Sequence, residues 1–517
     1  MKNSKFKLVE NIAAFLILNF AVLIPCAKAQ EQPSAPSAPR TVTIPAIQNS
    51  ELPNGLKIAV VERKNVPLVT VSLLLNNAGA NFEEKDGLAN TTASLLTKGT
   101  KTRTATQIAE EIEFLGGDIG ARANWNSTVV NINVTSDKLE QAIAIMSDVV
   151  LNPTFAPKEI ELFKTQTNDE LNVSLKQPGS LASFVASRYT FSEHNAIGTP
   201  ESLKSITPAD ITKFYRESYK PESAVLIFAG DISSEKANAL AIKFFGTWKK
   251  TSQKLVKEVP QIPDDSKGMI IISNLPIIQR ILVIDLPNSG QAAVTYAKKL
   301  TEGRVICSES NKCGTGENYY PSTVTNTILG GGYSARLNSE IRIKRGLSYG
   351  ASSNLASRPN QTNLLARAQT KNVSAAEVAE LVAAEIGKLG STNVETTELT
   401  PRQLTLTGAF GNSLETTDGL AAKLVELYTF GLSADELNSY MTSVRKVSAE
   451  QVKKFASANL NGGDIIIVGD AKTFMNDLKK RFPTQKIEII AASDLDLNRN
   501  DLRKTAMPDG KPKPKSK

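Results

Sequence analysis

Two stretches decide how this chain folds: Ser223–Asp231, with the sequence SAVLIFAGD, and Gly463–Asp470, with the sequence GDIIIVGD. Each is a short apolar run rich in β-branched residues that ends in Gly-Asp, which is typical of a fully buried strand. A helical segment with a similar apolar face precedes each run, at Ala209–Tyr215 and at Ala449–Ala456. The same helix–strand unit therefore occurs twice in the chain.

The spacing between the two copies is nearly constant. Gly230 and Gly469 are 239 residues apart, and Phe214 and Phe455 are 241 residues apart. A single period of this length, present only twice, indicates a duplicated domain and not a solenoid of short repeats. The sequence therefore predicts two homologous domains, at 48–250 and 268–490.

Within each domain, strands alternate with amphipathic helices, and both hairpin turns and crossovers are predicted. This pattern favours the α+β class, with one mixed sheet packed with helices in each domain. In the first domain the predicted strands are Leu56–Val61, Leu68–Leu75 and Val129–Val134. The predicted helices are Gly87–Lys98, Thr104–Leu115, Leu139–Val150 and Pro157–Leu175.

The ends and the junction have different compositions. Residues 1–29 have a basic start, an apolar stretch and Ala27-Lys28-Ala29, which predicts a cleaved export signal and a periplasmic or secreted protein without a transmembrane segment after cleavage. A Pro/Ser/Ala linker is predicted at 30–47 and a polar, Pro-containing linker at 251–267. A basic, solvated tail is predicted at 491–517.

The net charge of +8 comes from the two ends of the chain. Residues 1–29 carry +3 and residues 499–517 carry +5, so the remainder is neutral. No basic face interleaved with aromatic residues is present, which argues against a nucleic-acid partner. The glycine-rich loops that bind phosphates in nucleotide-binding proteins are absent too.

Two cysteines remain after the predicted cleavage, because Cys26 lies in the signal. Cys307 and Cys313 lie in a polar stretch that contains Gly and Ser. In an exported protein this spacing favours a local disulfide over a metal site, since no further cysteine or nearby histidine completes a ligand set.

Gly87–Thr100, with the sequence GLANTTASLLTKGT, resembles the G-L-A-H-x-x-E-H-x-L-x-x-G-T segment of the pitrilysin/insulinase zinc peptidases, the inverzincins. The resemblance continues through Leu151–Phe155 and Phe191–Thr199 and, in the second half, through Leu329–Leu337 and Arg342–Tyr349. It covers roughly residues 48–490, and the polar stretch 301–316 looks like an insertion relative to the family pattern. It implies two such domains that form half of a clam-shell chamber.

The resemblance also locates a lost zinc centre. The two histidine positions are Asn90 and Ser94, and the position of the catalytic glutamate is Ala93. Glu170 lies at the expected spacing for the third ligand, but it holds no zinc alone. The only histidine, His194, falls where the family has a variable loop residue. We therefore expect no cofactor on this chain and no catalytic residue of its own.

Other residues of the family pattern are retained. By resemblance, Arg342 and Tyr349 are the Arg/Tyr pair that one chain of a two-chain peptidase supplies to the zinc site of the other. The alternative from the residues alone is that Arg342 pairs with a nearby acid such as Glu340 and that Tyr349 begins a buried strand. The Gly330–Gly332 segment is either a loop that contacts the presented peptide or a helix end with a sharp turn.

These features together predict a non-catalytic, substrate-binding subunit of an exported insulinase-family peptidase. Its expected partners are a catalytic zinc-binding chain of similar size, carrying H-x-x-E-H, and unfolded or short peptides. The alternative from another class is a structural or peptide-binding protein of the same fold with no role in proteolysis. A third hypothesis, an active peptidase with unusual zinc ligands, would require stoichiometric zinc that depends on Glu170.

Overall fold

The computed structural model describes residues 44–250, 277–307 and 313–504. The predicted signal and the 251–267 linker lie outside the described residues. Within the described part, no helix combines the length and the apolarity that a bilayer crossing requires.

The first half of the chain forms a six-stranded mixed sheet in the order β1-β2-β6-β3-β5-β4. Strand β6 lies between β2, which is parallel to it, and β3, which is antiparallel to it, and all of its residues are buried. The six strands are β1 (Ile47–Glu51), β2 (Lys57–Glu62), β3 (Leu68–Leu75), β4 (Asp118–Ala123), β5 (Thr128–Thr135) and β6 (Ala224–Gly230).

The second half forms a second six-stranded sheet in the order β11-β12-β8-β13-β7-β14. Strand β13 has the place that β6 has in the first sheet, between one parallel and one antiparallel neighbour. The strands of this sheet are β7 (Ile278–Asp285), β8 (Ala292–Leu300), β11 (Ser348–Ser357), β12 (Thr362–Thr370), β13 (Gly463–Gly469) and β14 (Ile487–Ala491). The α+β fold class with two similar halves is confirmed.

Helices pack on both sheets. In the first half they are α1 (Leu88–Leu95), α2 (Ala105–Phe114), α3 (Leu139–Leu151), α4 (Pro157–Ser174), α5 (Pro178–Tyr189), α6 (Pro200–Ser205), α7 (Pro208–Ser218) and α8 (Ser234–Phe245). In the second half they are α9 (Tyr319–Gly330), α10 (Arg336–Asn338, continued by a π turn at Ser339–Ile343), α11 (Ala375–Ser391), α12 (Thr396–Ser413), α13 (Thr417–Thr429), α14 (Glu436–Lys446), α15 (Ala449–Asn459) and α16 (Ala471–Arg481). Short 3-10 turns occur at Ala80–Phe82, Leu96–Lys98, Pro221–Ser223, Asn372–Ser374 and Ala492–Asp494.

Local chemistry explains why the duplicated helices begin where they do. Helix α7 starts with a capping box between Thr207 and Asp210, and its counterpart α15 starts with one between Ser448 and Gln451. In each case the hydroxyl and the side chain three residues later satisfy otherwise unpaired backbone N–H groups.

The two halves exchange helices. Helix α5 of the first half packs on β8 and β13 of the second sheet, and helix α13 of the second half packs on β3 and β6 of the first. The first residues of these helices, Pro178 and Thr417, are 239 residues apart, so the exchange follows the internal repeat. Leu181, Ala182, Val185 and Ala186 of α5 are buried against the second sheet. Each sheet therefore depends on the other half for one of its apolar faces.

Two boundaries differ from the sequence expectation. Strand β1 begins at Ile47, inside the predicted linker, and was missed because four of its five residues are exposed and show no apolar alternation. The predicted tail starts later than residue 491, since 492–504 are folded and Leu502 is fully buried. The predicted insertion contains an antiparallel ribbon of β9 (Val305–Cys307) and β10 (Cys313–Thr315).

Candidate peptide-binding site and the lost zinc centre

Helix α1 carries the three positions where the zinc peptidases have H-x-x-E-H. Asn90 and Ser94 lie one turn apart on one face and are half-buried, whereas Ala93 is completely buried in the first core. The alanine has no group that could move a proton, and amide and hydroxyl side chains are poor zinc ligands.

The fourth predicted position does not improve the ligand set. Glu170 lies on α4, which packs against α1, but its side chain is exposed. Within the described ranges no three His, Cys, Asp or Glu side chains are grouped so that they could hold a metal ion. The donors at the motif positions therefore do not fit a zinc ion.

Hydrogen bonds to a buried carboxylate nevertheless fix the backbone at the start of helix α1. A carboxylate oxygen of Glu83 accepts a hydrogen bond from the backbone N–H of Gly87 at 2.8 Å, and the other accepts one from Ala89 at 2.6 Å. A buried anion at this end also interacts favourably with the helix dipole. His194 Nε2 lies 2.7 Å from Glu83 Oε1, and its ring lies 4.9 Å from that of Trp125.

Two glycines explain why distant parts of the family pattern occur together. Gly87 and Gly198 have φ of +89° and +85° and their backbones touch. A Cβ on Gly87 would lie 2.7 Å from the Ile197 carbonyl oxygen, and one on Gly198 would lie 2.8 Å from that of Asp86. Only glycine combines this φ with so close an approach.

The His194–Glu83 pair gives a pH-dependent stability. Burial lowers the pKa of His194, but the hydrogen bond and the charge of Glu83, together with Asp86, outweigh it, so the pKa is raised above 6.5. Burial also raises the pKa of Glu83. A raised pKa in the folded state contributes stability that is complete below the unfolded value and is lost as the pH rises through the folded value.

We expect the urea midpoint of unfolding to fall as the pH rises above 6.5. The midpoint of the His194→Gln variant should fall less over the same pH range. If the midpoints of both proteins fall equally with pH, the assignment to His194 is wrong.

Arg342 lies on the π turn and is exposed. The predicted alternative, an ion pair with Glu340, is wrong, because Glu340 accepts hydrogen bonds from Lys344 at 2.8 Å and from Arg345. The guanidinium carbon of Arg342 instead lies 5.1 Å from the ring centre of Tyr333, which places the cation over an aromatic face. The charge is thus held in place without being neutralised.

Tyr349 is 88% exposed. The alternative that it begins a buried strand is therefore wrong, although it does lie at the start of β11. The pairing of β11 with β12 shifts between Ser348 and Ala351, so Tyr349 and Gly350 form an irregularity in the ladder. Such bulges re-aim side chains at the edges of sheets. In the described residues, the hydroxyl of Tyr349 has no hydrogen-bond partner.

The three glycines at the end of α9 have unequal roles. Gly330 and Gly331 are required by close packing, since a Cβ would lie 2.2 Å from the Ser353 nitrogen and 2.6 Å from the Thr327 Cα, respectively. Gly332 is exposed and a Cβ there would meet nothing closer than 4.0 Å. None of the three has a positive φ, so close packing and not backbone conformation requires glycine at positions 330 and 331.

Asn338 joins these elements and was missed by the sequence analysis. Its side chain is 4% exposed; it donates to the Tyr333 carbonyl at 2.6 Å and accepts from the Ala351 N–H at 3.1 Å. One buried amide thus ties the glycine segment to the strand that carries Tyr349.

Asn338→Ala should loosen this junction. Two backbone groups would lose their partner, and the loss at the buried Ala351 N–H costs about 1–3 kcal/mol. We expect faster hydrogen exchange in the peptide 348–357, measured by mass spectrometry, with global unfolding changed less. Asn438→Ala is the control, because Asn438 is exposed on α14. Unchanged exchange in β11 would show that Asn338 does not hold it.

Comparison with known proteins gives the family. Two family descriptions match: "Insulinase (Peptidase family M16)" over residues 57–196 and "Peptidase M16 inactive domain" over residues 205–401. The chain belongs to the insulinase family, M16. The family resemblance on which the sequence analysis depended is confirmed.

Relatives in this family are named as zinc proteases. An uncharacterized zinc protease of Mycobacterium leprae is 28% identical over 58% of this chain and 63% of its own length, which is less than two thirds. One from Bacillus subtilis is 23% identical over 71% of this chain and 84% of its own length. These M16 relatives are thus named as zinc proteases. In this chain, the side chains at the motif positions of helix α1 do not fit a zinc ion.

Solved structures agree on the fold. A peptidase M16 inactive domain from Pseudomonas fluorescens has a TM-score of 0.72 at 24% identity and covers 82% of this chain and 98% of its own. The periplasmic protease PqqL of Escherichia coli has a TM-score of 0.64 at 16% identity, covering 87% of this chain and 52% of its own. At these identities the likeness concerns the M16 fold alone.

The predicted Cys307–Cys313 disulfide stays a prediction. The antiparallel register of the β9–β10 ribbon places the two residues directly opposite each other. Directly opposed positions in such a ladder have Cα atoms about 4.5–5.5 Å apart, within the range that a disulfide spans.

Proposed function

We propose that this M16 protein is the non-catalytic, substrate-binding subunit of a zinc peptidase. It would complete the peptide site of a catalytic chain of similar size that carries H-x-x-E-H. The observation that carries the proposal is the contrast between two places in the chain. Ala93 and its neighbours cannot hold zinc or move a proton, whereas Arg342 and Tyr349 are exposed and are not engaged by ion pairs or hydrogen bonds within the described residues.

The two side chains suit complementary tasks on a bound peptide. A guanidinium offers a rigid fork of N–H donors to backbone carbonyl groups. A phenol hydroxyl can donate to the oxyanion that forms at the carbonyl under attack, and this donor matters most in the transition state. Exposed polar groups of this kind contribute little to folding, which favours a role in contacting a second molecule.

Gly332 supports the same proposal. It is exposed and has open space where a side chain would be, so packing does not require a glycine there. A backbone without a side chain next to Tyr333 and Arg342 leaves room for an extended peptide. Residues 1–29 direct the assembly to the periplasm or outside the cell.

Reconstitution tests the proposal. The purified chain alone should contain no stoichiometric zinc and cleave no peptide, whereas a mixture with a family member that carries H-x-x-E-H should co-elute as a complex and cleave short peptides. If complexes form but those that contain Arg342→Ala or Tyr349→Phe cleave peptides as fast as the unaltered pair, the alternative of a structural or peptide-binding protein with no role in proteolysis is correct. Zinc that binds the single chain and is lost in Glu170→Ala would favour the unusual-ligand hypothesis instead.

A further inference from the structure

A groove of about 520 Å³ lies beside Tyr349, on the face of the second sheet that meets the first half of the chain. It exists because α5 covers β8 and β13 of this sheet, while β11 and β12 extend beyond it. The walls are formed by polar side chains of four elements: Ser180 of α5, Thr295 of β8, Ser352 of β11, and Arg367 and Gln369 of β12.

Register explains why these side chains share one face. Arg367 lies opposite Ser352 on one neighbouring strand and opposite Thr295 on the other. Directly opposed residues in adjacent strands point to the same side of a sheet. The guanidinium of Arg367 is thus at the centre of a row of hydroxyl groups.

The groove has one sign of charge. Among the described residues that line it, Arg367 is the only charged one. Its guanidinium donates only to neutral acceptors, Asn354 Oδ1 at 3.1 Å and Ser183 Oγ at 3.4 Å. Most other arginines in the described residues that make side-chain contacts bind a carboxylate, as Arg336 does with Glu398 at 2.7 Å. The first turn of α5, which also borders the groove, contains no acidic residue to offset its positive end.

We propose that the groove binds an acidic side chain of the substrate peptide through Arg367, within a few residues of the bond that is presented at Tyr349. The inference rests on the proposed function, because Tyr349 borders both the groove and the candidate peptide site. A carboxylate accepts two parallel hydrogen bonds from a guanidinium, and the exposed hydroxyl group of Ser352 can donate a further one. The subunit would thereby give the pair a preference for peptides containing Asp or Glu.

Binding to the single chain tests this without catalysis. Two fluorescein-labelled decapeptides that differ only in Glu or Gln at their central positions are titrated by anisotropy. We expect the Glu peptide to bind about fivefold more tightly at 50 mM salt, with the difference shrinking at 0.5 M salt, as for partly exposed charge pairs. Arg367→Gln should remove this difference in affinity, and Arg367→Lys should keep part of it. Arg367→Glu should reverse the charge preference, so that a third peptide with Lys at the central positions binds more tightly than the Glu peptide. Arg445→Gln, at an exposed arginine of α14, is the control and should keep all of the difference between the Glu and Gln peptides.

The outcomes separate the two proposals. If Arg367→Gln keeps the full preference for Glu, or the chain binds both peptides equally, the acidic subsite is wrong even if Arg342→Ala still impairs the reconstituted pair. If neither peptide binds the chain and the pair cleaves neither, both proposals fail. Circular dichroism of each variant checks the fold, which an exposed side chain such as Arg367 should not disturb.

Discussion

Tyr349→Phe should lower kcat/KM of the reconstituted pair by about 100-fold, as loss of a single oxyanion donor does in other hydrolases. The substitution removes one hydroxyl from a side chain that is 88% exposed, so the fold should be unaffected. The loss should fall mainly on kcat, because the hydroxyl interacts with charge that develops only in the transition state. Initial rates on a quenched fluorescent peptide measure both parameters.

Arg342→Ala should act differently on the same reaction. Its loss weakens the hold on the peptide backbone, so KM should rise along with a fall in kcat. Arg345→Ala is a matched control three residues away, because Arg345 is engaged by Glu340. Tyr428→Phe is the control for the hydroxyl, which there donates to Asn49. If Tyr349→Phe remains within twofold of the unaltered pair while the complex forms, the Arg/Tyr proposal is wrong.

The second large effect should come from Arg358→Ala, which we expect to destabilise the chain by about 3 kcal/mol. Arg358 lies in the turn between β11 and β12 and binds both carboxylate oxygens of Glu193 in the first half, at 3.0 and 2.9 Å. The Glu193 side chain is only 6% exposed. Without the guanidinium, a buried carboxylate would keep one hydrogen bond, from Gln361 at 2.8 Å. Urea unfolding monitored by Trp fluorescence measures the loss.

A double-mutant cycle isolates the pair. Glu193→Gln removes the charge, so adding Arg358→Met to it should cost clearly less than Arg358→Met alone. Arg499→Ala is the control, because the Arg499–Asp501 pair has both side chains more than 40% exposed. Such a surface pair contributes about 0–1 kcal/mol. Equal costs for Arg358→Met in both backgrounds would show that the two residues are not coupled.

This contact links the stability of the two halves to the candidate site. Arg358 follows directly on β11, which carries Tyr349 at its other end. Asn126 of the first half also donates to the Ser357 carbonyl at the end of the same strand. The position of Tyr349 therefore depends on both Asn338 at one end of β11 and the contacts between halves at the other.

The repeats were predictable because buried central strands are apolar over their whole length. Strands β6 and β13 lie between two neighbours under helices, so nearly every side chain must be apolar, and the pattern can be read without alignment. Edge strands do not have this constraint. Strands β1 and β4 alternate weakly or not at all, and neither was predicted.

The site was predictable only in part. The family pattern gave the residues Arg342 and Tyr349, but local spacing could not decide between an ion pair, a buried strand and an exposed pair. The ion pair is excluded because Glu340 binds Lys344, and the buried strand is excluded because β11 is irregular at Tyr349. Asn338 and Arg367 have no local signature, because their roles depend on residues brought together from different strands and helices.

The sequence by itself determined the duplication, the α+β class and the loss of zinc ligands, since residue identity and period are local properties. Tertiary structure alone decided that α5 and α13 are exchanged between halves, that Glu193 meets Arg358, and that the uncovered strands leave a groove. The physical reason is that each sheet buries one apolar face against a helix more than 100 residues away in the chain. Such pairings are selected by the shape and chemistry of whole surfaces, which no segment of the sequence contains.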